Sequence, residues 1–241
     1  MVGSVWLTSG KGRKSRESGL DRDTIVAAAV RLLDAQGDVS MRALAGELNV
    51  TPMSMYWYVA NKSDLLEFAL DAVAGEIELP EADDDWQVEL RALAQAWRRT
   101  MVGHPWAIRH YGDYLNIGPK SMRFTRHAQA VVGRSPLSQA DQAAALSAVF
   151  QYVYGFAMNE SRWLEYGRKT GRTVDEFVDD VAKSVAEVPW VSVKSGVVDQ
   201  KNRQSIAEQR DRDFDRALDW LLAGMVTPSR SRHSASDPDG R

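Results

Sequence analysis

The chain has 241 residues, 44% of them apolar, enough for one large or two modest hydrophobic cores. It contains no cysteine, which excludes disulfides, zinc fingers, iron–sulfur clusters and thiol chemistry. The net charge of −3 is unevenly spread: residues 1–62 hold 8 Lys/Arg against 6 Asp/Glu and the remainder holds 22 against 27, so positive charge is biased to the front.

Residues 1–19 mix Gly, Ser and basic side chains, with Lys11, Arg13, Lys14 and Arg16 within six positions. They are expected to form a flexible basic arm, either a solubilising tail or a salt-sensitive contact to DNA. The first apolar stretch is short and no cationic region precedes it, so it does not read as a signal peptide. No run of 18 apolar residues occurs, so no membrane span is expected and the protein reads as soluble and cytoplasmic.

From residue 20 onward almost every segment reads as helix. Ile25, Ala28, Ala29, Leu32 and Leu33 recur at helical spacing behind Asp21 as N-cap, with Gly37 as the stop. Ser40 caps a short second helix, Met41 to Leu48, and Asn49 suits a left-handed turn after it. Thr51 caps a third helix with Pro52 at its first position, predicted to run to about Tyr58. Asn61 caps a fourth, with Leu66, Ala69, Leu70 and Val73 as its buried stripe. The acidic run 76–85 reads as a linker. Beyond it come a long helix from Trp86 to Met101, shorter ones at 106–115 and 119–133, and a long one from Ser138. A further helix is marked by Val174, Phe177, Val178, Val181 and Val185, and the last by Phe214 to Met225. Residues 187–202 read as loop. The fold class is therefore all-α. The expected domains are an arm at 1–19, a head of short helices at 20–75, a body of longer helices at 76–226, and a disordered tail at 227–241.

Two short helices joined by a tight turn are the helix-turn-helix pattern, whose second helix must be slim and polar to enter a major groove about 12 Å wide. Thr51, Ser54, Tyr56 and Tyr58 suit that outward face, with Pro52, Met53 and Trp57 beside them, while Val50, Met55 and Val59 can anchor the helix from beneath. One of Tyr56 and Trp57 is expected to touch the DNA backbone and the other to pack. Ser40 and Thr51 suit phosphate oxygens. Arg42 is the candidate for bidentate reading of guanine, against the alternative of a solvated helix residue, and Lys62 is a candidate backbone contact as a point charge.

In the body, Trp97, Trp106, Tyr111, Tyr114, Phe150, Tyr154, Phe156 and Trp163 are aromatic candidates for a large apolar pocket, the alternative being ordinary core packing. The ligand-binding set drawn from this region is Trp97, His104, His110, Tyr114, Phe150, Tyr154 and Trp163, with the histidines as polar handles or, alternatively, surface groups. No catalytic residue is assigned: hydrolase, metalloprotease and phosphate-loop motifs are all missing. The histidines at 104, 110, 127 and 233 lack metal-ligand spacing, so neither a metal nor a cofactor is expected.

The runs Leu20 to Leu33, Ser40 to Ala45 and Val50 to Leu66, above all Tyr56-Trp57-Tyr58-Val59-x-Asn61-Lys62, resemble the TetR (tetracycline-repressor) family. The resemblance implies a homodimer in which the last two long helices, near 138–165 and 203–225, form a four-helix interface. It further implies that an effector shifts the fourth helix, changes the spacing of the two recognition helices and releases a palindromic operator. The half-sites must lie about one DNA turn, roughly 34–36 Å, apart. A bulky, largely apolar small molecule is the expected effector. Asn49 stands where the family often has Gly. Glu78, Leu93 and Trp97 stand, by ungapped count, where tetracycline repressors hold the drug–magnesium complex, so neither tetracycline nor magnesium is expected. Two rivals remain: a DNA-binding regulator whose body is only a dimerisation or protein-partner module, and a helical enzyme.

Overall fold

The computed structural model describes residues 4–8, 20–177, 180 and 205–226. The loop expected at 187–202, the tail at 227–241 and most of the helix around 174–185 fall outside these residues. Among the described residues every regular element is helical: α1 Arg22–Gln36, α2 Met41–Glu47, α3 Pro52–Met55, α4 Lys62–Ala74, α5 Trp86–Gly103, α6 Pro105–His110, α7 Pro119–Gly133, α8 Gln139–Thr170 and α9 Ile206–Met225.

The helix starts are set locally. Side chains of Asp21, Ser40, Thr51, Asn61 and Ser138 each accept a bond from the backbone N–H three residues on, satisfying a donor the helix leaves open. Gly37 ends α1 at φ 77°, a left-handed value that its lack of a Cβ permits, and its N–H returns to Leu33 O. Between α2 and α3, Asn49 takes φ 52° while the Val50 N–H bonds Ala45 O at 3.0 Å, which fixes the angle of the tight turn.

The head closes over Ile25, Ala29, Leu33, Leu44, Met55, Val59, Leu65 and Ala69, all fully or almost fully buried. Its third helix is shorter than predicted. The amides of Tyr58 and Val59 both bond Met55 O, so Tyr56–Tyr58 form a turn that carries Val59 into the core. The predicted helix over 106–115 also stops early: α6 passes into a 3-10 turn at Tyr111–Asp113. Asn116, at φ 51°, then closes the loop by donating to the carbonyls of Tyr111 and Tyr114.

In the body, α8 is the central element and packs against α5, α6, α7 and α9. The buried Arg98 of α5 joins three helices: it makes two 2.9 Å bonds to Glu160 of α8 and one of 2.7 Å to Asp211 of α9. Its guanidinium also lies over the Phe156 and Phe214 rings. The helix α4 belongs to both halves, packing on α1 in the head and on α7 in the body.

The arm expected to be free at 1–19 is docked over part of its length. Residues Val5–Thr8 form a helical turn, with the Ser4 hydroxyl and the Val5 N–H both donating to the buried carboxylate of Glu67 on α4. Trp6 meets Phe68 edge-on at 5.0 Å. The apolar Val5 and Trp6 supply the reason to dock.

Candidate nucleic-acid interface and effector region

The helix-turn-helix presents one outward surface. Arg42 is exposed on α2 and forms no ion pair among the described residues. On α3 and its turn, Met53 is 71% exposed, Trp57 57% and Tyr56 44%. Of the aromatic pair Tyr56 and Trp57, then, neither is buried in the core. It is Tyr58 that packs against the core, because its amide is drawn back to Met55 O. Pro52 is exposed at the first position of α3. The hydroxyls of Thr51 and Ser54 lie 2.9 Å apart, and Thr51 Oγ1 also caps the Ser54 amide, so both are engaged at the helix start. Ser40 is exposed, with its Oγ on the Ala43 amide at 3.1 Å. Lys62 reaches this side already paired with Asp38 at 2.6 Å, a bond that holds the Asp38 carboxyl below its ordinary range.

The body gathers three of the ligand-set aromatics into one cluster. Trp97 lies 5.3 Å from Phe150, 5.7 Å from Tyr111 and 5.7 Å from Phe124, and Tyr111 lies 6.1 Å from Tyr154. Burial pushes the Tyr111 hydroxyl upward in pKa, so it stays neutral. Phe124 belongs to this cluster and was absent from the sequence-derived set; its spacing to Ala128 and Val131, buried on the same face of α7, is the signal that could have found it.

The remaining candidates lie elsewhere. Trp163 packs edge-on against Phe177 and under the Arg210 guanidinium. His110 pairs with Asp113 at 3.0 Å on the surface. Tyr114 faces α4, where Ser63 Oγ donates to its hydroxyl at 3.3 Å. Phe156 joins Tyr152 and Phe214 in a second aromatic group at α8 and α9.

His104 sits at the seam between head and body. Its Nδ1 is 2.7 Å from Asp34 of α1 and its Nε2 is 2.9 Å from Glu76 just after α4. Burial opposes protonation, but bonds to the two carboxylates outweigh it and raise the imidazole above its ordinary value of 6.5. Trp106 Nε1 donates to the same Asp34 oxygen at 2.7 Å. Arg109 bonds Gly37 O at 3.1 Å, and Arg168 of α8 bonds Asp34 O at 3.1 Å and Ala35 O at 3.3 Å. The last carbonyls of α1 are thus held by two arginines of the body, where positive charge meets the negative end of the helix dipole. Arg109 also pairs with Glu165, whose carboxyl it lowers.

Comparison with known proteins gives consistent matches. The family described as tetracyclin repressor-like, C-terminal domain, matches residues 79–228. An HTH-type transcriptional regulator of Saccharopolyspora erythraea is 32% identical over 93% of this chain and 92% of its own length. The HTH-type transcriptional repressor DrrR1 of Streptomyces coeruleorubidus is 30% identical over 72% of this chain and 66% of its own length. Among solved structures, the Streptomyces coelicolor protein ActR in complex with (S)-DNPA superposes with a TM-score of 0.70 at 25% identity, covering 87% of this chain and 98% of ActR. ActR in complex with actinorhodin gives 0.69 at the same identity and coverage. No helix among the described residues is long and apolar enough to cross a membrane.

Proposed function

Since the chain belongs to the tetracycline-repressor family of helix-turn-helix transcriptional regulators, we propose that it acts as a homodimeric repressor that a bulky, largely apolar small molecule releases from a palindromic operator. The observation that carries this reading is the pairing of two surfaces in one chain. The helix-turn-helix exposes Arg42, Met53, Tyr56 and Trp57, and behind it Trp97, Tyr111, Phe124, Phe150 and Tyr154 converge between α5 and α8. In this reading Arg42 reads a base edge, while Ser40 and the hydroxyls and rings around Thr51 to Tyr58 orient the head on the DNA backbone. Lys62 neutralises a phosphate on giving up its bond to Asp38.

A ligand releases DNA only by favouring the released arrangement over the bound one. The cluster is well placed for that. Tyr111 immediately follows α6, whose Trp106 and Arg109 hold the end of α1, so a molecule that parts the Trp97 and Tyr111 rings acts on the head through one short helix. Support for a small-molecule effector comes from the two ActR complexes, with (S)-DNPA and with actinorhodin.

A second reading, in which the body only dimerises, is favoured by the closeness of the rings: Trp97 is 2% exposed and its neighbours fill the space around it. Two measurements test both readings. Gel shift on randomised duplex pools returns a palindrome if the chain is an operator-binding dimer, and no preferred duplex rejects that function. Thermal shift against a panel of apolar aromatic compounds, combined with an operator-release assay, separates a ligand-gated body from a scaffold: a panel without any stabilising compound favours the scaffold.

A further inference from the structure

The exposed face of α3 is chemically unusual for a surface that must read base pairs. None of Pro52, Met53, Ser54, Met55, Tyr56 and Trp57 carries an amide, guanidinium, ammonium or carboxylate. The bidentate pairs that single out guanine or adenine in the major groove require Arg, Lys, Asn or Gln. The hydroxyls nearest the helix start, Thr51 and Ser54, are bonded to each other, and Thr51 Oγ1 also accepts from the Ser54 amide. The side chain that α3 presents most openly is apolar: Met53, 71% exposed while its neighbour Met55 is fully buried.

The apolar feature that base edges display in the major groove is the C5-methyl group of thymine. From this match we propose that Met53 is a specificity-determining residue that reads thymine methyl groups, so that the operator half-site facing α3 is fixed by methyl contact and not by hydrogen bonding. The proposal rests on the operator-binding reading above. A thioether on an unbranched chain suits the task, since it adapts its shape to a flat methyl-studded surface and gains from losing water there. The hydrogen-bonding share of recognition then falls to Arg42 on the neighbouring α2, whose guanidinium is exposed and without an ion pair among the described residues.

The test uses the full chain and duplexes it selects from a randomised pool. In the best half-site each thymidine is replaced in turn by deoxyuridine, which deletes the methyl and preserves every hydrogen bond. At one or two positions the wild-type protein is expected to lose about four-fold in affinity per methyl removed. Met53→Ala, an exposed change that leaves the core untouched, is expected to bind the thymine site more weakly and to show no further loss with uracil at those positions. Uracil tolerated at every position, a selected half-site without thymine opposite α3, or a uracil penalty undiminished in Met53→Ala overturns the proposal while leaving operator binding intact. Failure to select any duplex overturns both.

Discussion

Both ring nitrogens of His104 rest on carboxylate oxygens, which only accept hydrogen bonds, so the arrangement is complete when the ring carries two protons. A folded-state pKa raised above 6.5 adds stability that is present in full below 6.5 and is lost as the pH rises through the raised value. The unfolding midpoint of the wild-type protein is therefore expected to exceed that of His104→Gln at pH 6, with the difference shrinking as the pH is taken to 9. Parallel curves for the two proteins would remove His104 from this role. Arg42 has the opposite character, being exposed and without an ion pair among the described residues. Arg42→Ala is expected to weaken specific operator binding by about 1–3 kcal/mol with no change in folding or dimerisation, measured by titration of the selected duplex against a non-specific one at fixed salt.

At the scale of elements, α4 is fastened to the body by a cap supplied from a distance. The N-terminus of α7 comes directly after Gly118, which has no side chain to cap it. The buried Asp71 of α4 does so instead, accepting from Lys120 N at 3.0 Å and Ser121 N at 2.8 Å. Glycine is required at 118 because a Cβ there would collide with that carboxylate. Asp71→Ala leaves these donors without a partner and is expected to cost about 1–3 kcal/mol in denaturant unfolding. Because the same helix carries the head, the variant is also expected to loosen the tie between operator affinity and the state of the body. The end of α1 is held independently, by Arg109 and Arg168. Among the described residues, head and body thus meet on both helices that frame the recognition pair, at the end of α1 and along α4.

At the scale of the whole molecule, the proposed homodimer would cover apolar surface that a single chain leaves open. Trp220 on α9 is 69% exposed beside a groove lined by Ala144 and Ala148 of α8 and by Leu221 and Gly224 of α9. A tryptophan beside small residues on two long helices suits a four-helix contact, in which the partner's side chains enter where Ala and Gly leave room. Trp220→Glu is expected to convert a dimer to a monomer in light scattering and to abolish high-affinity operator binding, since one head alone cannot span two half-sites. A dimer that survives the substitution would place the interface on another face.

The amino-acid sequence by itself determined most of the helices, the starts of α1 to α4 and the helix-turn-helix, because each of these rests on bonds spanning three or four residues. Asp21, Ser40, Thr51 and Asn61 each cap the helix they precede, Asn49 turns the chain, and a 3.6-residue period marks the buried stripe. The extent of α3 escaped that reasoning, since the burial of Val59 ended the helix from outside it. Only the tertiary structure decided which aromatic rings meet, bringing Phe124 to Trp97 and sending Trp163 and Tyr114 elsewhere. It likewise turned His104 from a candidate ligand handle into a bridge between Asp34 and Glu76. Such contacts join residues tens of positions apart, and the angles at which α5, α6 and α8 cross set them; local spacing carries no information about those angles.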